Sequence, residues 1–177
     1  MKVLGIAGWS GSGKTTLLAD LIPLMVRKGL RVSTIKHAHH DFDIDQPGKD
    51  SYRHRHAGAS EVLISSAKRF ALMHEHRGEA EPTLEELVAR LTPVDLVLVE
   101  GFKASPHPKI EVWRASVGKP MLQPKDPHVI AVASDAPIPS LPVPVLDANN
   151  PQQVLDFILS WMRQPAGRKE ARLGAAD

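Results

Sequence analysis

The segment that most constrains this chain is Gly8-Trp9-Ser10-Gly11-Ser12-Gly13-Lys14-Thr15, a complete G-x-x-x-x-G-K-[ST] phosphate-binding loop. It lies between an apolar run, Val3-Leu4-Gly5-Ile6-Ala7, and the helix-forming Thr16-Leu17-Leu18-Ala19. The pattern requires a strand, a tight turn and a helix in that order, and the flanking residues supply both elements. Three glycines in six residues let the backbone turn sharply and aim successive N–H groups inward. Together with the positive end of the following helix, those donors form a nest for phosphate oxygens. Gly11, Ser12, Gly13, Lys14, Thr15 and Thr16 are therefore the expected nucleotide-binding residues. Lys14 would reach the β- and γ-phosphates, and the Thr15 hydroxyl would join the shell of Mg²⁺. A Gly/Ser-rich turn before a helix is the plainer reading, and the intact flanks weigh against it.

Beyond the loop, strand and helix signals alternate, which predicts an α/β phosphate-loop NTPase fold with a mostly parallel sheet flanked by helices. A helix is expected over 15–28, apolar around most of its circumference and perturbed by Pro23. Strands are expected over 31–36, 95–99, 109–114 and 129–133, with a short one at Val145. Segments 61–66 and 69–76 read as an inserted β-hairpin around Ser66-Ala67-Lys68, grafted onto the parallel sheet. Short helices are expected over 50–57 and from Thr83 to Leu91, and a final one capped by Asn150-Pro151 and running to Met162. The organisation expected is one nucleotide-binding domain over 1–164 and a disordered tail over 165–177, which lacks an apolar period.

Parallel strands deliver functional residues at their carboxyl ends. In Asp95-Leu96-Val97-Leu98-Val99-Glu100-Gly101, Glu100 stands at that end, whereas Asp95 starts the strand about 16 Å away. Glu100 is thus the expected Mg²⁺ residue, directly or through a water, with strand-end solvation as the plainer alternative. Gly101 suggests close approach of the backbone to another group, such as the γ-phosphate. The segment from Lys36 to Asp45 also leaves a strand at its carboxyl end. It holds His37, His39, His40, Asp41, Asp43 and Asp45. That set suits a transition metal, a mobile switch loop serving Mg²⁺ waters and phosphates, or a solvated loop; no defined zinc-ligand spacing is present.

Composition sets outer bounds. The 177 residues are 42% hydrophobic, enough to build a core, and contain no cysteine, which excludes disulfides and thiolate metal sites. A formal charge of +2 gives no footprint for nucleic acid, and no apolar stretch approaches the ~20 residues of a membrane span. Met1-Lys2-Val3-Leu4 runs straight into the first strand, so no secretory leader and a cytoplasmic location are expected.

The segment Ile35-Lys36-His37-Ala38-His39-His40 is far less generic than the phosphate loop, as are Asp43-Ile44-Asp45 and Pro47-Gly48-Lys49-Asp50-Ser51. With Leu98-Val99-Glu100-Gly101-Phe102-Lys103 and Val129 to Asp135, they resemble the MobB family of molybdopterin-guanine dinucleotide biosynthesis adaptors. The resemblance spans about residues 3 to 163. It implies a GTP- and Mg²⁺-binding fold, usually a homodimer, that assists a molybdopterin guanylyltransferase and itself hydrolyses GTP slowly. Residue by residue, Gly11, Gly13, Lys14, Thr15 and Thr16 match the family's phosphate positions, and Asp45 and Glu100 its acidic Mg²⁺ positions.

Guanine selection usually rests on a carboxylate that accepts two hydrogen bonds from the base. Asp135, at the end of a predicted strand, is the candidate, although the Asn-Lys-x-Asp spacing of regulatory GTPases is missing; a simple turn aspartate is the alternative. The rival function is a self-sufficient small-molecule kinase or ligase. Against it, the 102–109 loop is short for a lid and holds two lysines but no arginine. Arg53 and Arg55 are the only arginines expected near the phosphate edge.

Overall fold

The structure, a computed structural model, describes residues 1–38 and 42–165. His39, His40 and Asp41 of the histidine-rich loop, and nearly all of the expected tail, lie outside the described residues. The chain forms two compact units, one of residues 1–37 and 88 onward, the other of 38–87.

The first unit is built on a six-stranded sheet: β1 (Lys2–Ala7), β2 (Val32–Lys36), β5 (Leu96–Glu100), β6 (Lys109–Trp113), β7 (Val129–Ser134) and β8 (Val145–Asp147). Their order is β2-β5-β1-β6-β7-β8, and every pairing is parallel. β5 explains why such a sheet forms. Leu96, Val97, Leu98 and Val99 are all fully buried, the signature of a strand covered on both faces.

One face receives Leu4 and Ile6, Leu96 and Leu98, Ile110 and Val112, and Ala131 and Ala133. Against it pack Leu17, Leu21 and Met25 of α1 (Lys14–Arg27) and Val154, Leu155 and Ile158 of α4 (Pro151–Arg163). Pro23 interrupts neither the helical span nor its packing; it removes the donor that would meet the Ala19 carbonyl. Gly29, at φ +82°, lets Leu30 N–H turn back to the Met25 carbonyl and close α1. At the start of α4, Asn150 accepts from Gln153 N–H at 3.2 Å, with Pro151 in the first turn as the sequence predicts.

The other face is unusual in burying charges. Lys109, 1% exposed, donates to Asp126 at 3.0 Å and to the Ser105 carbonyl at 2.7 Å. Glu111, fully buried, accepts from Leu122 and Gln123 N–H at 2.7 and 2.9 Å and so straps the 115–125 segment to the sheet. Each buried charge thus has the partners that its desolvation demands. Burial pushes the Glu111 carboxyl up, with those two N–H groups opposing.

The second unit holds α2 (Asp50–His56), β3 (Glu61–Ser65) and β4 (Phe70–His74). The inserted hairpin is present, but as an antiparallel sheet of its own, with Leu63 opposite Leu72 and Ser65 opposite Phe70. Arg55 of α2 ties the unit together, reaching Asp43 at 2.6 Å, Asp45 at 2.7 Å and Glu75 at 3.4 Å. Thr83 and Glu86 make reciprocal side-chain to backbone bonds, a capping box that starts α3 (Leu84–Ala89). That helix ends two residues before the expected Leu91.

Candidate functional site

β1 delivers the phosphate loop at its carboxyl end, and glycine is required there for reasons of space and of dihedral angle. Gly8 has φ +140°, and a Cβ would sit 2.4 Å from the Val112 carbonyl oxygen and 2.8 Å from Ser12 Oγ. Gly13, at φ +94°, is the N-cap of α1; Gly11, at φ +81°, has open space around it. The first turn of α1 carries neither a capping side chain nor an acidic residue, so the positive end of the helix is left to an outside anion. Ser12 Oγ is buried with no hydrogen-bond partner among the described residues, a polar atom inside the loop that a ligand can satisfy.

Lys14 lies along the loop and donates to the Trp9 carbonyl at 2.8 Å. Burial lowers its pKa, as do the neighbouring Lys103 and Lys36 charges, while Glu100 opposes them. That concentration of cations is what a polyphosphate would neutralise. Thr15 Oγ1 donates to Glu100 Oε1 at 2.9 Å. The two residues expected to share Mg²⁺ are therefore brought together from α1 and β5, as the strand-end argument requires. Asp95, at the opposite end of β5, accepts from Arg31 N–H at 2.7 Å and braces the start of β2.

The neighbour that Gly101 makes room for is His37: at φ +101°, a Cβ there would lie 2.6 Å from His37 Cβ. His37 N–H donates to the Glu100 carbonyl at 2.8 Å, and its ring stacks on Phe102 at 4.7 Å. Phe102 itself is held at φ +48°. Trp9, anchored through Nε1 to the Pro120 carbonyl at 2.7 Å, receives Lys103 over its ring at 4.6 Å.

Arg114 is the residue that sequence reasoning missed. It follows β6 and donates to the Ser12 carbonyl at 3.1 Å, to Asp135 at 2.8 Å and to Asn149 at 3.3 Å. The expectation that only Arg53 and Arg55 supply arginines near the phosphate edge is thereby corrected. β6 lies next to β1, and extending the strand-end rule to it would have found Arg114. Asp135, the candidate base reader, is accordingly held in an ion pair with Arg114. Beside them a cavity of about 200 Å³ is lined by Gly13, Thr16, Arg114 and Asn149, among others. In the other unit, Asp45 has both carboxylate oxygens on Arg55 and its side chain is 1% exposed, while Arg53 is exposed. The hydrogen bond to Asp45, with the Asp43 and Asp45 charges, raises the Arg55 pKa.

A parallel sheet that delivers a glycine loop, a lysine and a Thr–Glu pair at one edge defines a phosphate-loop NTPase fold. The profile of the family described as MobB, "Molybdopterin guanine dinucleotide synthesis protein B", matches residues 3–135. The chain is 46% identical over 170 residues to an Escherichia coli protein named molybdopterin-guanine dinucleotide biosynthesis adapter protein, covering 94% of this chain and 97% of that one. The Haemophilus influenzae protein of the same name is 43% identical, with 96% and 94% covered. A solved structure described as a MobB protein homolog from Bacillus stearothermophilus superposes with a TM-score of 0.67 at 26% identity, covering 92% of this chain and 99% of that one. The chain belongs to the MobB family.

Proposed function

We propose that this protein is a GTP-binding adapter for molybdopterin-guanine dinucleotide synthesis, working with a partner guanylyltransferase. One observation carries the reading: the Thr15–Glu100 pair at 2.9 Å, next to an uncapped helix N-terminus and an unpartnered Ser12 hydroxyl. These groups fit Mg²⁺ and the triphosphate it accompanies. Gly11, Ser12, Gly13, Lys14, Thr15 and Thr16 would cradle the phosphates, and Thr15 and Glu100 would hold the metal. Asp45, the other acidic residue that the resemblance offers for the metal, has both carboxylate oxygens on Arg55. The cavity beside Thr16 and Asn149 offers room on the nucleoside side of the loop, with Asp135 close by through Arg114.

The adapter role rests on the relatives' names, and the expectation of slow turnover on how Arg114 is committed. Without a transition-state cation, phosphate-loop proteins lose about 10³ to 10⁵ in rate. Arg114 is spent on a loop carbonyl and two side chains, so it stiffens the loop rather than reaching into it. The isolated protein should therefore hydrolyse GTP more slowly than about 1 s⁻¹. Adding it to guanylyltransferase, GTP and molybdopterin should raise the dinucleotide yield, and Lys14→Ala should remove the gain. Rapid GTP or ATP turnover, or phosphoryl transfer to a small acceptor, would favour the kinase or ligase reading instead. No described helix is long and apolar enough to cross a membrane, and a cytoplasmic adapter fits that.

We also infer a homodimer formed through the hairpin. On one face of the β3–β4 ladder, Leu63, Leu72 and Phe70 are 61%, 48% and 73% exposed, an apolar row that a second copy would cover.

A further inference from the structure

At the base of the hairpin, β4 runs out through His74-Glu75-His76 into a tight turn. Arg77 and Gly78 occupy its centre at φ +43° and +95°, and Glu79 N–H donates to the His76 carbonyl at 2.7 Å. Two successive left-handed residues reverse the chain fully and fold Glu79 back on the strand end. The unfavourable φ of Arg77 is held by its guanidinium, which donates to the carbonyls of Arg55 and Ala59 at 3.0 and 3.1 Å.

The result is a convergence of ligand atoms. One ring nitrogen each of His74 and His76 and a carboxylate oxygen of Glu79 lie within 4.8 Å of one another. His74 Nε2 is 3.2 Å from Glu79 Oε2, and the two rings are tilted at 57° with centroids 5.4 Å apart. Two ligands of a tetrahedral ion with bonds of about 2.0–2.1 Å stand about 3.3 Å apart. Half-exposed and exposed side chains can close the remaining distance by small rotamer changes. Across the ladder, Glu61 Oε1 sits 2.9 Å from His74 Nδ1. A carboxylate on one imidazole nitrogen fixes the tautomer and turns the other nitrogen into a ligand, the arrangement that supports metal-bound histidines.

We propose that His74, His76 and Glu79 form a site for a divalent transition metal of the zinc class, with Glu61 as the positioning residue for His74. Two imidazoles and one carboxylate select such an ion over Mg²⁺ or Ca²⁺, which prefer all-oxygen shells. Three protein ligands leave a coordination position for water or an exchangeable ligand. The site uses none of the phosphate-loop residues and does not depend on the nucleotide reading.

The test is competition for Zn²⁺ between the full-length protein and a chromophoric chelator, paired with the visible spectrum of the Co²⁺ form. The expected result is one ion per chain and the absorption of a four-coordinate Co²⁺. His76→Ala and Glu79→Gln, both at exposed positions that spare the fold, should each weaken binding at least 10-fold. Glu61→Gln should cost about 10-fold by misorienting His74. Lys14→Ala, and a His39→Ala/His40→Ala double variant, should bind as the parent does. Zinc uptake indifferent to His76→Ala and Glu79→Gln, or lost with the His39/His40 variant, would overturn the proposal. So would the absence of uptake, which would leave His74 as a plain ion-pair bridge between Glu61 and Glu79.

Discussion

In the proposed function Lys14 would serve the phosphates and Glu100 the metal, and substitutions should separate the two. Lys14→Ala removes a charge-assisted contact to phosphate and should cost about 2–4 kcal/mol of triphosphate affinity. Calorimetric titration reads that directly, and an unchanged affinity in a folded variant would refute the role. Glu100→Gln should weaken Mg²⁺-dependent nucleotide binding and leave metal-free binding intact. Asp95→Asn should change neither, because Asp95 braces the far end of the same strand. Equal behaviour of the two variants in a magnesium titration would contradict the assignment. His107 makes a different kind of prediction. It is buried against Gly5 with both ring nitrogens unpartnered among the described residues, and burial lowers its pKa. The folded state then binds this proton less readily than the unfolded chain. Its contribution to stability should be full above about pH 6.5, the ordinary histidine value, and be lost as pH falls through the depressed folded value. Urea unfolding of His107→Leu should show a shallower loss of stability below pH 6.5, by at most about 1.4 kcal/mol per pH unit. Parallel profiles for the variant and the parent would rule this out.

Among the elements, the hairpin has the most to reveal, because β3 and β4 leave an apolar row on one face. Leu72→Glu should weaken a hairpin-mediated dimer by at least 10-fold, since burying each leucine is worth about 1.5–3 kcal/mol and the change enters twice. Analytical ultracentrifugation at micromolar concentration distinguishes dimer from monomer, and a monomeric parent protein would dispose of the dimer. The elements were largely legible in the sequence for physical reasons. The apolar run of β5 and the glycine loop before α1 admit few alternatives, and Asn150-Pro151 marks the start of α4 without ambiguity. Boundaries moved by a residue or two, as with α3. What composition could not convey was pairing: the hairpin forms its own sheet, because register depends on partners distant in sequence. The buried Lys109–Asp126 and Glu111 contacts were illegible for the same reason, whereas Arg114 could be placed by the strand-end rule but its partners could not. Charged residues in a strand normally read as a solvated face, and here Asp126 lies 17 residues beyond Lys109 and Leu122 lies 11 beyond Glu111. Arg114 reaches Ser12, 102 residues before it, as well as Asn149, 35 after.

At the scale of the whole molecule, the parallel sheet gathers the phosphate loop, the Thr15–Glu100 pair and Arg114 at one edge of the first unit. The second unit carries the Arg55 carboxylate cluster and the hairpin. Under the proposed function, the first unit would bind the nucleotide and the hairpin of the second would pair with another copy of the chain. The claim on which the rest depends is that the first unit binds GTP with Mg²⁺. Calorimetric titration of the full chain with GTP and with ATP, each with and without Mg²⁺, tests it most directly. The account predicts one saturable GTP site per chain, strengthened by Mg²⁺, tighter for GTP than for ATP, and weakened at least about 30-fold by Lys14→Ala. Absence of triphosphate binding, or binding that survives Lys14→Ala unchanged, would contradict it.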